Sequence, residues 1–179
     1  ERTAIRIAEL ATRSLLYEVA ITPKPGLVDR ANNGSHRDMD FYSFLKSAAA
    51  LQSYFKKCAA FGIQAAEKAE REKREDLPEL FRSLRLPGKL AENQMLRATG
   101  GVNTHRGAIF SMGILCAAAA SLPADRWDES ETILSICARM TKGIMAVDYR
   151  NLTVDTAKTA GQRLYLEYGI TGVRGQMEE

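Results

Sequence analysis

Residues 98–113 read ATGGVNTHRGAIFSMG, and the reading of this stretch decides the fold. Gly100 and Gly101 open it, Asn103, Thr104, His105 and Arg106 follow, and beyond Gly107 the chain enters the apolar run Ala108–Ala120. Glycines allow positive φ and close backbone approach. Asn103 and Thr104 are turn and N-cap types, with free amides just beyond them. The stretch is therefore a turn feeding a helix, and a helix start of this kind favours anions. His105 adds a titratable group and Arg106 a fixed fork of donors. The alanine-rich run after them predicts a helix packed closely in the middle of the fold.

Working outward, Arg2–Val19 is helical, with a stripe of Ala4, Ala8, Ala11, Leu15 and Val19 widened by Ile5 and Leu16. Pro23 and Pro25 end it. Asp40 is placed to cap a helix carrying Phe41, Phe44, Leu45, Ala48, Leu51 and Phe55, continuing past Gly62 toward Glu75. The mixed-charge run Glu67–Asp76 reads as its solvated end. Leu77–Thr99 reads as a short helix, a break at Pro87–Gly88, and a second helix through Glu92, Met95 and Leu96. Leu122–Pro123 ends the central helix. Asp128–Ala146 is the next helix, Asp148–Leu152 a polar turn, Val154–Tyr168 the last helix, and residues 169–179 a glycine-rich tail. Strand alternation is absent from the pattern. The fold class is all-α: one domain over residues 1–179, a multi-helix bundle whose long polar, glycine-bearing loops form the site.

Composition narrows the function. The chain has 179 residues, 45% hydrophobic and 26% charged, enough for a sizeable core. A net charge of +3 demands neither nucleic acid nor an anionic membrane, yet accommodates a basic pocket for a phosphorylated ligand. Cys58, Cys116 and Cys137 lie in apolar helical segments without metal-type spacing and read as buried thiols of a cytoplasmic protein. The longest apolar stretch, Ile114–Ala120, is far too short to span a bilayer. Trp127 reads as a packing anchor, and Lys142 and Lys158 as surface positions.

A second stretch, TPKPGLVDRANNGSHRDMD (Thr22–Asp40), is a long loop dense in charge. Both histidines of the chain, His36 and His105, fall in these two loops, which are expected to meet at one face. Four segments in order carry a resemblance: TPKPGLVDRANNGSHRDMDF, AENQML, GGVNTHRGAIFSMG and YGITGVRG. Together they resemble the triphosphoribosyl-dephospho-CoA synthase family, from LLYEVAITPKPG to the C-terminus. That family makes the precursor of the prosthetic group of citrate lyase and malonate decarboxylase.

The resemblance implies a transferase with ATP and dephospho-CoA as substrates. A ribose hydroxyl of dephospho-CoA attacks the anomeric carbon of ATP, and adenine leaves. The product, 2'-(5''-triphosphoribosyl)-3'-dephospho-CoA, passes to a transferase that modifies an acyl carrier protein. In the family, YG-x-x-G-x-RG is followed by further helices and an aspartate-rich motif, so the chain is expected to lack that C-terminal part. Substitution at an anomeric carbon passes through an oxocarbenium-like state. It needs cations for the triphosphate, a carboxylate near the developing charge, a base for the hydroxyl and an acid for adenine.

Lys24, Arg30, Arg106 and Arg174 are the candidate phosphate-binding cations, with Gly100, Gly101, Asn103 and Thr104 around the phosphates. His105, Asp29 and Glu92 are the catalytic candidates. Asp38 and Asp40 are candidates for a Mg²⁺ ion bridged through triphosphate oxygens. Blander roles stand beside these: Asp40 as a helix cap, Asp29–Arg30 as an ion pair closing its loop, His36 as a surface residue, Glu92 as a solvated one. His105 and Arg106 are expected to stay outside the core. Two other functions suit the same loops, an N-glycosidase in which water replaces the hydroxyl and a non-catalytic nucleotide- or CoA-binding helical module. The oligomeric state is left open, a homo-oligomer included.

Overall fold

The computed structural model describes residues 1–157 and 160–178, so Lys158 lies outside the described residues. Every element among the described residues is helical. They are α1 (Arg2–Ala20), α2 (Phe41–Glu72), α3 (Leu77–Ala98), α4 (Arg106–Ala120), a 3₁₀ turn at Ala124–Arg126, α5 (Ser130–Thr141), α6 (Ile144–Asp148), α7 (Ala160–Tyr168) and α8 (Gly172–Glu178).

Helix α1 buries Ala4, Ile7, Ala8, Ala11, Leu15 and Val19, with Ile7 rather than Ile5 widening the stripe. It packs along α2, the longest element, which also meets α3 and α4. Asp40 caps α2 reciprocally: the Ser43 amide donates to Asp40 Oδ1 at 2.8 Å, and the Asp40 amide donates to Ser43 Oγ at 3.4 Å. The charged end of α2 stops at Glu72, where Lys73 turns left-handed.

Helix α4 is the central one, touching α1, α2, α3, α5 and α8. Its small residues allow this. A Cβ on Gly62 of α2 would lie 2.1 Å from the Ala117 carbonyl oxygen, so the two backbones approach as only glycine permits. Gly113 makes the same room for the Tyr54 ring, whose hydroxyl donates to the Ile109 carbonyl at 3.0 Å. Trp127 packs at the core's edge with Arg6 over its ring.

Three boundaries differ from the sequence reading. Helix α3 does not break at Pro87–Gly88. Its buried stripe of Leu77, Leu80, Leu84, Pro87, Ala91 and Met95 keeps the helical period straight through the proline. Burial of both halves outweighs the roughly 3 kcal/mol an internal proline costs. The expected helix Asp128–Ala146 divides at Lys142–Gly143, where Gly143 adopts φ 80°, a left-handed residue past a helix end. In the expected helix Val154–Tyr168, residues 154–157 form turns and coil rather than helix, and the described helix is Ala160–Tyr168. Before it, Thr153 and Thr156 bond to each other's backbone and hydroxyl groups, which competes with helix formation. The glycine-rich tail, in turn, carries α8, whose Met177 packs on the core.

Candidate functional site

The end of α3 and the start of α4 build the site. The α3 helix stops at Gly100 and Gly101, with φ of 68° and 95°, and the Gly101 amide donates back to the Leu96 carbonyl at 2.7 Å. That is a Schellman-type stop. The two glycines therefore end a helix, and they do not line the adjoining cavity. Asn103 Oδ1 then accepts the Arg106 amide at 3.2 Å, ahead of the N-cap residue His105. The amides of Gly107 and Ala108 have no acceptor among the described residues. No atom stands within 4 Å of where a Gly107 side chain would begin.

Beside this helix start lies a cavity of about 890 Å³. Asn103, Arg106 and Gly107 form one part of its wall, and Arg85, Lys89 and Glu92 of α3 another. Asp148 and Arg174 close the far side, with Phe81 and Phe110 between. Arg106 Nε stands 3.5 Å from Glu92 Oε2, both side chains being partly exposed. Asp148 is shared by Arg85 and Arg174. Four cations and an open helix N-terminus thus face one space, with Glu92 beside Arg106 and Asp148 set between Arg85 and Arg174, an arrangement suited to a polyanion.

His105 sits just behind this wall, and here the expectation of an exposed residue fails. It is 5% exposed, its ring edge-on to Phe44 at 4.9 Å, and its Nδ1 is 2.7 Å from Ser47 Oγ. Phe44 and Ser47 of α2 take up its ring and its amide donates to Met95 Sδ of α3, so a residue in a polar stretch became core. Burial pushes the imidazole down to about 4, and nearby Lys24 pushes the same way while Glu18 opposes. The ring is therefore neutral near pH 7. One ring nitrogen then donates a hydrogen bond and the other accepts, but there is no imidazolium proton to hand to a leaving group. Its Nε2, like Thr104 Oγ1, is buried without a partner among the described residues.

His105 touches Phe44 and Ser47 in the first turns of α2, which bring the end of the first loop near the second, but no residue of Thr22–Asp40 lines the cavity. Within the first loop, however, Lys24, Asp29 and Asp40 are taken up by structural partners. Lys24 Nζ is held by Glu18 at 2.6 Å. Asp29, 1% exposed, accepts from the Thr22 hydroxyl and from the amides of Lys24, Ala31 and Asn32 at 2.7 to 3.0 Å. Its carboxylate organises the loop and forms no ion pair with Arg30, which stays exposed. Asp40 is committed to its helix cap, and Asp38 lies 4.0 Å from His36 at the surface. Among the described residues no group of three or more His, Cys, Asp or Glu side chains could hold a metal ion. With Asp40 held in its cap and Asp38 at the surface, the residues present do not build a magnesium site by themselves.

The amide bonds, that of Asn32 first, hold the Asp29 carboxyl down at about 2. A carboxyl depressed in the folded state contributes stability above its ordinary range, and that contribution is lost as pH falls toward the folded value. Asp29→Asn places an amide NH₂ among donors. Its melting temperature is expected to lie below that of the unaltered protein at pH 7, and the gap to close between about pH 4 and 2. Parallel melting curves across that range test it.

Sequence reading missed Arg85, Lys89 and Asp148. The first two had a signal: with α3 continuous, Arg85, Lys89 and Glu92 fall at i, i+4 and i+7, one helical face. The supposed break at Pro87–Gly88 hid it. Asp148 had none, because its place depends on how α6 folds back.

Fold and site define an all-helical protein with a basic cavity at the start of its central helix. The chain belongs to the CitG family, described as ATP:dephospho-CoA triphosphoribosyl transferase, which it matches over residues 4–179. It is 42% identical over 174 residues to a protein of Lactiplantibacillus plantarum named probable 2-(5''-triphosphoribosyl)-3'-dephosphocoenzyme-A synthase, covering 96% of this chain and 59% of that one. It is 37% identical over 182 residues to Protein CitXG of Leuconostoc mesenteroides subsp. cremoris, covering 100% of this chain and 38% of that one. The chain thus spans well under two thirds of the length of either relative. No solved structure matches it.

Proposed function

We propose that this chain carries the triphosphoribosyl transfer of its family, with the cavity at the start of α4 binding the triphosphate of ATP. The observation that carries this reading is the convergence of Arg106, Arg85, Lys89 and Arg174 with the open amide of Gly107 on one cavity. Arginine forks and helix-start amides grip phosphate oxygens without being consumed in the reaction. The hydroxyl oxygen of dephospho-CoA bonds to the anomeric carbon as the bond from that carbon to adenine breaks. Adenine departs with the electron pair and gains a proton, and the hydroxyl loses one. Glu92, partly exposed at the cavity and held by Arg106, is the carboxylate placed to face the developing positive charge or to take the hydroxyl proton. Magnesium enters this reading only with the nucleotide, on the phosphate oxygens. A cytoplasmic location and onward passage of the product to an acyl-carrier-modifying transferase complete it.

Incubation with ATP and dephospho-CoA, followed for free adenine and product mass, tests the reading. Adenine with a triphosphoribosyl adduct supports transfer. Adenine with free ribose triphosphate makes the protein a hydrolase, and binding without adenine makes it a binding module. Arg106→Ala should weaken ATP binding about 10- to 100-fold, the loss of a charged hydrogen bond. Its melting curve should stay close to the original, since the side chain is 41% exposed. Unchanged ATP affinity by calorimetry would remove Arg106 from the phosphate site.

A further inference from the structure

Asp148 ends α6 in the cavity wall, between two guanidinium groups from different helices. Both Nη groups of Arg85 donate to its Oδ1 at 2.9 Å, and Arg174 Nε donates to its Oδ2 at 3.2 Å. Its side chain is 12% exposed, against 47% for Arg85 and 40% for Arg174. The carboxylate therefore lies behind the two arginines, not in front of them. Each guanidinium also rests over an aromatic ring, Arg85 at 5.8 Å from Phe81 and Arg174 at 5.3 Å from Phe110. The two Nη groups of Arg174 have no acceptor among the described residues.

An arginine in solution samples many rotamers, and ordering it on a ligand costs affinity. Here a half-buried anion and two rings already hold both side chains, which line the cavity. The anions Glu92 and Asp148 are not equivalent: Glu92 faces one cation, Asp148 two. The helix start of α4 and Arg106 make up one anion-binding point of the cavity, and the Arg85–Arg174 pair a second.

Resting on the reading of this cavity as the triphosphate site, we propose that Asp148 is a positioning residue that sets Arg85 and Arg174 as a clamp for the far end of the phosphate chain. A ligand that engages both the α4 start and this clamp gains from each, so the cavity favours longer phosphate chains. Asp148 itself touches no substrate.

The test uses inorganic phosphate, pyrophosphate and tripolyphosphate as probes, with binding measured by calorimetry on the protein and on Asp148→Asn. The substitution keeps the shape and removes a negative charge. If the carboxylate merely competed with phosphate, removing it would tighten binding. Positioning gives the opposite sign: tripolyphosphate affinity falls about tenfold or more, while pyrophosphate affinity is unchanged. Arg174→Ala should reproduce this selective loss, and serves where Asp148→Asn melts early. Equal or tighter tripolyphosphate binding by Asp148→Asn overturns the proposal, as does an equal loss for all three probes, the mark of a structural role. So does full tripolyphosphate affinity in Arg174→Ala. Those failures leave the triphosphate reading standing if the unaltered protein binds tripolyphosphate and ATP. If it binds neither, that reading falls and takes the clamp with it.

Discussion

Gly62→Ala is expected to destabilise the protein by roughly 3 kcal/mol or more, the upper end of what overpacking costs. The added methyl would sit 2.1 Å from the Ala117 carbonyl oxygen and 2.9 Å from its carbon. Both are backbone atoms, so no side chain can swing aside. Helices α2 and α4 would have to part by more than an ångström along the seam where Phe55, Cys58, Ala59, Ala117 and Ala118 are buried. Interiors packed to crystal-like density do not yield that distance locally. Because α4 also presents Arg106 and Gly107 to the cavity, ATP binding should suffer with the fold. Gly107→Ala is the matched contrast. Nothing stands near its added methyl, and glycine-to-alanine exchange in a helix gains up to about 1 kcal/mol. It should melt no lower than the original while losing polyphosphate affinity, since the methyl stands at the exposed amides. Denaturant titrations of the two variants check this. A Gly62→Ala protein within about 0.5 kcal/mol of the original, the range of ordinary surface changes, would show that the helices are not in contact there.

The same pair of glycines shows what was legible in the sequence. The all-helical class and the central place of Ala108–Ala120 follow from period and small size, both local properties. So does the Asp40 cap, which needs only Ser43 three residues on. The candidate site was legible where chemistry and backbone signal coincide, at Asn103, Arg106 and Gly107. It was not legible where a residue's role depends on what folds over it. Asp29 has the composition of a catalytic carboxylate, yet four donors from its own loop surround it. Pro87 and Gly88 carry the usual punctuation of a helix end, yet the apolar stripe on both sides keeps its phase and α3 continues. Missing that continuity also hid the face of Arg85, Lys89 and Glu92. Lys24 reads as a free loop cation, and only the fold shows Glu18, six residues earlier in the last turn of α1, in reach.

His105 is the sharpest of these cases, and its pH dependence is the second large effect. In the folded protein burial depresses its imidazole to about 4, against an ordinary 6.5 when unfolded. Above pH 6.5 the ring is neutral in both states and costs nothing. Between 6.5 and about 4 the unfolded chain takes up a proton that the folded chain refuses, so stability falls with pH across that window. The full difference corresponds to roughly 3 kcal/mol. The Asp29 contribution falls away only at lower pH, toward about 2, so the two losses are separable on the pH axis. At pH 7.5 His105→Ala is itself costly, by roughly 2–4 kcal/mol. It leaves a hole beside Phe44 and strands the buried Ser47 hydroxyl. What it gains is insensitivity: with no imidazole to protonate, its stability should stay nearly level from pH 6.5 to 4.5, where the original declines. Denaturant unfolding of both proteins at half-unit pH steps decides the matter. Parallel slopes would mean that the ring protonates as readily folded as unfolded, and that His105 faces solvent. A variant as stable as the original at pH 7.5 would return the residue to the exposed loop that its sequence neighbours suggest.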